Sequence, residues 1–109
     1  MKQKIIAIDF DGTITDDTPY PICGNLREEA AYYIMKLYDL DYTLVLWTAR
    51  KGKDFTECIN KLQSWGLLKY LHLPENVEGK IYADFYIDDK AIPGKINWNK
   101  LYNYICQNI

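Results

Sequence analysis

Asp9 and Asp11 flank Phe10 and run straight into Gly12-Thr13, while Thr48 closes one distant apolar run and Asp88-Asp89 close another. Side chains in extended backbone alternate with period two, so Asp9 and Asp11 point the same way. Gly12 lets the backbone turn closely around a ligand. Carboxylates gathered in one small cleft repel unless they share a cation. Oxygen-only ligands suit Mg²⁺, which keeps several waters and often binds through one or two carboxylates plus substrate phosphate. An ion held there neutralises phosphoryl oxygens and leaves one carboxylate to attack.

These residues meet only if the ends of distant strands meet. Ile5-Ile6-Ala7-Ile8 is a short β-branched apolar run, the pattern of a strand buried on both faces. Residues 12–24 are polar and interrupted by Pro19 and Pro21, as a loop or small flap would be. Asn25 with Glu28 predicts a helix start, followed at helical spacing by Leu26, Ala30, Tyr33, Ile34 and Leu37. Tyr42 to Trp47 predicts a second strand. Asp54 with Glu57 predicts another helix start, with Phe55, Ile59 and Leu62 on one face and Gly66 as the stop. Tyr70 to Leu73 predicts a short third strand, stopped by Pro74, and Ile81 to Ile87 a fourth. Asn97 caps a last helix with Trp98, Leu101, Tyr102, Ile105 and Ile109 on one side. Strands alternating with helices predict an α/β class: a three-layer Rossmann-like domain around a mostly parallel sheet. Right-handed crossovers would bring the strands' carboxyl ends to one edge, where such sheets bind ligands.

The 109 residues predict a single domain, 1–109, with no room for a second core. Hydrophobic residues at 49% and charged residues at 26% exclude disorder. A formal net charge of −2 gives no broad nucleic-acid footprint. Cys23, Cys58 and Cys106 match neither a disulfide framework nor a zinc site and read as small buried thiols in a reducing compartment. Asp9 breaks the first apolar run well short of the ~7–15 residues of a signal peptide. No stretch approaches the roughly 20 apolar residues of a membrane span, so a cytoplasmic protein with no membrane partner is expected.

Asp9-Phe10-Asp11-Gly12-Thr13 resembles the first motif of the haloacid dehalogenase (HAD) superfamily. Leu44-Val45-Leu46-Trp47-Thr48 resembles its second motif, and Tyr86-Ile87-Asp88-Asp89 its fourth. The resemblance runs from residue 4 to about 94 and is strongest to small bacterial and phage HAD-like hydrolases with a motif like Lys80-Ile81-Tyr82-Ala83-Asp84. It implies a Mg²⁺-dependent phosphatase working through an aspartyl-phosphate. Asp9 would be the nucleophile. Asp11 would protonate the leaving oxygen, then activate water, while its backbone carbonyl binds the metal. Thr48 would hydrogen-bond a phosphoryl oxygen, and Asp88 would hold Mg²⁺ with support from Asp89. The substrate is a phosphorylated compound: nucleotide, polynucleotide end, sugar phosphate and phosphoprotein all carry the group required.

The chain departs from that pattern in two places. Residues 13–23 make a flap, and no segment is long enough for a cap domain; capless members tend to act on large substrates or borrow cover from another subunit, here a homodimer. The phosphate-steadying lysine is Lys80 by resemblance. Yet a strand rises about 3.3 Å per residue, so an extended 81–88 would leave Lys80 some 26 Å from Asp88. Lys80 can serve only if residues 74–82 take an irregular path and the strand shrinks to about Phe85–Asp88. Otherwise Arg50, two residues past Thr48, is the nearer cation for phosphate. Asp16-Asp17 read as a polar turn and His72 as structural, while Tyr20 is placed on the flap to pack or to stack on a substrate ring. Two other readings compete. A signalling receiver domain would have its adjacent acids after the first strand, the reverse of the order here. A HAD-like protein that binds metal and phosphate without turnover would keep every acid.

Overall fold

The structure is a computed structural model that describes residues 4–73, 83–88 and 96–109. Ile5–Ile8 forms β1, Thr43–Leu46 β2 and Phe85–Ile87 β3, in a parallel sheet of order β2-β1-β3. The central strand is the all-apolar one, since Ile6, Ala7 and Ile8 are fully buried between layers. Helices α1 (Glu28–Asp39), α2 (Gly52–Ser64) and α3 (Trp98–Asn108) complete the α/β domain, and α3 packs beside α1. The path from β1 to β2 and the return from β2 across to β3 run in opposite directions. Right-handed crossovers therefore put α1 and α2 on opposite faces. The fold is Rossmann-like, and among the described residues the connections hold a flap, a helix and short turns rather than a cap domain.

Four local expectations are corrected. Helix α1 starts at Glu28 behind Arg27, not at Asn25, because Asn25 closes the flap: its carbonyl accepts from Asp16 N at 2.9 Å, beside an antiparallel Thr15–Leu26 bridge. Helix α2 starts at Gly52, two residues before Asp54, whose carboxylate accepts from the Tyr20 hydroxyl at 2.8 Å and is thereby taken from capping. The expected third strand is reduced to one bridge. Tyr70 ends a 3₁₀ turn (Leu68–Tyr70), and His72 alone pairs with β2 through its backbone, donating to Leu44 O at 2.7 Å and accepting from Leu46 N at 2.9 Å. The fourth strand is likewise shorter than 81–87: it begins at Phe85, and residues 81–82 lie outside the described set. Ala83 N instead donates to the Tyr86 hydroxyl, and Asp84 accepts from Ile5 N at 2.7 Å.

Other expectations hold. Gly66, at φ +74°, ends α2, with Leu67 N bonding back to Leu62 O at 2.9 Å. Asn97 caps α3 by accepting from Lys100 N at 3.0 Å. Trp98, Leu101 and Ile105 are the buried face of that helix. Of the cysteines, only Cys58 is buried, and burial pushes its thiol up to about 12; Cys23 is half-buried and Cys106 exposed, so the buried-thiol reading applies to one of the three. No helix among the described residues is long and apolar enough to cross a membrane.

Trp98 links fold to site. It is 1% exposed, and its indole N–H donates to Thr13 O at 2.8 Å, fastening α3 to the loop that follows β1. Trp98→Phe keeps most of the apolar area but leaves a buried carbonyl without its donor. Denaturant unfolding is expected to show a loss of about 1–3 kcal/mol for Phe and about 3–5 kcal/mol for Ala. A Phe variant as stable as the parent would show that the indole bond contributes nothing.

Candidate active site

Ile8, the last residue of β1, pairs with Leu46 on one side and Ile87 on the other. The ladder continues one step further: Asp9 N donates to Ile87 O at 2.9 Å and Trp47 N to Ile8 O at 2.8 Å. Asp9, Thr48 and Asp88 therefore leave three adjacent strands at one carboxyl edge, and adjacent strands lie only about 4.8 Å apart. Asp9 Oδ1 accepts from Phe10 N at 2.8 Å, which fixes the direction of the carboxylate. Thr48 Oγ1 accepts from Arg50 N at 3.1 Å, an ST-type turn that orients the hydroxyl.

Past Asp9 the chain turns sharply. Gly12 sits at φ +77°, where a side chain would be strained, and its N–H donates to Thr15 Oγ1 at 3.1 Å. Arg27 braces this turn from outside, donating to Thr15 O at 2.7 Å and Gly12 O at 3.3 Å and pairing with Asp17 at 2.8 Å. Asp16 is fixed by Thr18, whose N–H and hydroxyl donate to it at 3.1 and 2.5 Å and lower its pKa from the ordinary value. A Cβ on Gly24 would overlap Asp16 Oδ1, so the base of the flap accepts only glycine there without rearrangement. The Thr13 hydroxyl is buried with no hydrogen-bond partner among the described residues.

Arg50 is where expectation and geometry part. Instead of facing solvent or an open phosphate site, it is 3% exposed and grips Asp11 with two bonds of 2.7 Å, Nε to Oδ2 and Nη2 to Oδ1. Its remaining donors reach Pro21 O at 3.3 Å, Ile22 O at 3.4 Å, Asp54 O at 3.5 Å and Glu57 at 3.4 Å. The guanidinium also lies over the rings of Phe10 and Tyr20, 5.6 and 5.1 Å from their centroids. Hydrogen bonding to Asp11 raises the Arg50 pKa above its ordinary value against the opposing effect of burial, so the group stays charged. A phosphate oxygen could reach this fork only by displacing one of these acceptors.

Lys80 and Asp89 lie outside the described residues. The short β3 meets the condition that the Lys80 assignment sets on the strand. Among the described residues no three His, Cys, Asp or Glu side chains form a group able to hold a metal ion. The register places Asp9 and Asp88 side by side at the edge, with Asp11 two residues past Asp9. Sequence reasoning missed Arg27, which has no local signature, and the contact of Glu57 with Arg50, which lies two residues ahead of α2.

No family model matches the chain, and no curated protein matches it. Among solved structures, a conserved protein from Bacteroides thetaiotaomicron is 30% identical with a TM-score of 0.81, covering 99% of this chain and 93% of its own. An uncharacterized protein from Listeria monocytogenes serotype 4b is 15% identical with a TM-score of 0.46, over 94% of this chain and 61% of its own.

Proposed function

The chain belongs to one family with the conserved Bacteroides thetaiotaomicron protein, and for this fold we propose a Mg²⁺-dependent phosphohydrolase of the HAD type, acting through an aspartyl-phosphate on Asp9. The observation that supports it is the register of the sheet, which brings the chain at Asp9, Thr48 and Asp88 to one edge. The donor set is all oxygen, and two carboxylates with a backbone carbonyl fit Mg²⁺ better than a soft metal. Asp9, Asp88 and the Asp11 carbonyl would hold the ion, with Asp89 in support. When bound, it supplies positive charge against the phosphoryl oxygens.

The chain's own residues then divide the work. An Asp9 oxygen attacks phosphorus and the bond to the leaving oxygen breaks; that oxygen takes a proton from Asp11. Thr48 donates its hydroxyl to a phosphoryl oxygen. Water next attacks phosphorus, gives its proton to Asp11, and releases inorganic phosphate and the Asp9 carboxylate. Both Asp11 oxygens accept from the Arg50 fork, and each keeps a second lone-pair site with which to face a leaving group or water. Lys80 remains the proposed phosphate-steadying cation.

The flap is the proposed cover, aided by substrate bulk or a second copy in a homodimer, in a cytoplasmic setting. Phosphate release from a panel of phosphorylated compounds, with and without Mg²⁺, tests the proposal. Mg²⁺-dependent release from at least one class is expected; none from any class would leave a metal- and phosphate-binding protein without turnover.

A further inference from the structure

We propose that Arg50 is a positioning residue that aims the Asp11 carboxylate and couples it to the flap, rather than a ligand for phosphate. The role rests on the phosphohydrolase reading and extends it to how the site is held ready. Three segments distant in sequence meet on this one guanidinium. Asp11 comes from the turn after β1; Pro21 O, Ile22 O and the Tyr20 ring come from the flap; Asp54 O and Glu57 come from α2.

A guanidinium is planar and rigid, so its two parallel bonds fix both position and plane of the carboxylate they hold. The contacts with the Phe10 and Tyr20 rings leave the guanidinium little freedom to rotate. The Tyr20 hydroxyl is itself tied to Asp54, which fastens the flap to the start of α2. Lifting the flap breaks the bonds to Pro21 and Ile22 and removes the Tyr20 ring from the guanidinium. It thereby loosens the grip on Asp11. A substrate that settles the flap would set the aim of Asp11 in the same motion, joining entry to the acid–base step.

Arg50→Lys in the full chain keeps the charge and removes the fork. Turnover of p-nitrophenyl phosphate, inhibition by inorganic phosphate and hydrogen exchange of residues 18–24 are measured together. A kcat lower by on the order of 10–100-fold is expected from misplacement, with faster flap exchange and a phosphate inhibition constant unchanged within about twofold. Added guanidinium is expected to restore part of the kcat lost in Arg50→Ala. A phosphate inhibition constant that rises in step with the loss of kcat makes Arg50 a phosphate ligand and overturns the proposal. Unchanged kcat and unchanged flap exchange also overturn it.

Should the Arg50 variants fail to fold, Tyr20→Ala combined with Glu57→Gln removes outer contacts of the clamp and leaves Arg50 in place. Faster flap exchange with lower kcat supports coupling, and no change in either refutes it. A parent protein that releases no phosphate from any compound, while flap exchange still responds to Arg50→Lys, defeats the phosphohydrolase reading and leaves the coupling standing.

Discussion

Asp9→Asn is expected to abolish phosphate release while leaving the fold intact. An amide does not attack phosphorus as a carboxylate does, so the covalent route closes and turnover should fall by at least ~10⁴-fold, as for other lost nucleophiles. The structural cost should be small. Asparagine keeps the side-chain oxygen that accepts from Phe10 N, and its shape matches aspartate. Circular dichroism and thermal unfolding of the variant should overlay those of the parent. Steady-state phosphate release, measured on protein free of contaminating phosphatase, checks the loss.

Chelation of divalent ions is expected to be nearly as severe, and Asp88→Asn should imitate it in part. Asp88 immediately follows Ile87, which pairs with Ile8, so its backbone stands beside Asp9 at the sheet edge. With the cation gone, the phosphoryl group and the carboxylates face one another unscreened, and attack by Asp9 is opposed by like charge. Asp88→Asn removes one formal charge from the donor set. It should raise the Mg²⁺ needed for half-maximal turnover by at least ~10-fold, with partial recovery at high Mg²⁺. Titration of activity against Mg²⁺ in both proteins reads this directly. Identical curves would remove Asp88 from the metal site.

The frame of the fold was legible because it follows from period and composition. The run Ile5–Ile8 is apolar at every position, as a central strand must be, and the acids stand directly after such runs. What local reading misplaced is what tertiary contacts reassign. Asn25 has the right type for a helix cap but closes the flap, and Asp54 is held by a tyrosine 34 positions away. Tyr70 to Leu73 has strand composition, yet a 3₁₀ turn takes its first residue and leaves one bridge to an edge strand.

The candidate site divides in the same way. Asp9, Thr48 and Asp88 could be placed from sequence because strand ends in a parallel sheet share an edge. The partner of Arg50 could not. Asp11 lies 39 residues from it, and the pairing depends on a flap whose path no local preference dictates. An arginine two residues past a strand-end threonine reads equally well as an anion ligand or a surface charge. Only burial and the full set of acceptors around its fork distinguish the third role.

Direct detection of a phosphorylated Asp9 tests the central claim most sharply. The protein, mixed with a turned-over phosphomonoester and Mg²⁺, is acid-quenched within a single turnover, digested in acid and mapped by mass spectrometry. The peptide containing Asp9 is expected to gain the mass of one phosphoryl group, lost on hydroxylamine treatment and absent from Asp9→Asn. Active protein with phosphate on a different residue, or with no covalent phosphate at any time during turnover, would contradict nucleophilic catalysis by Asp9.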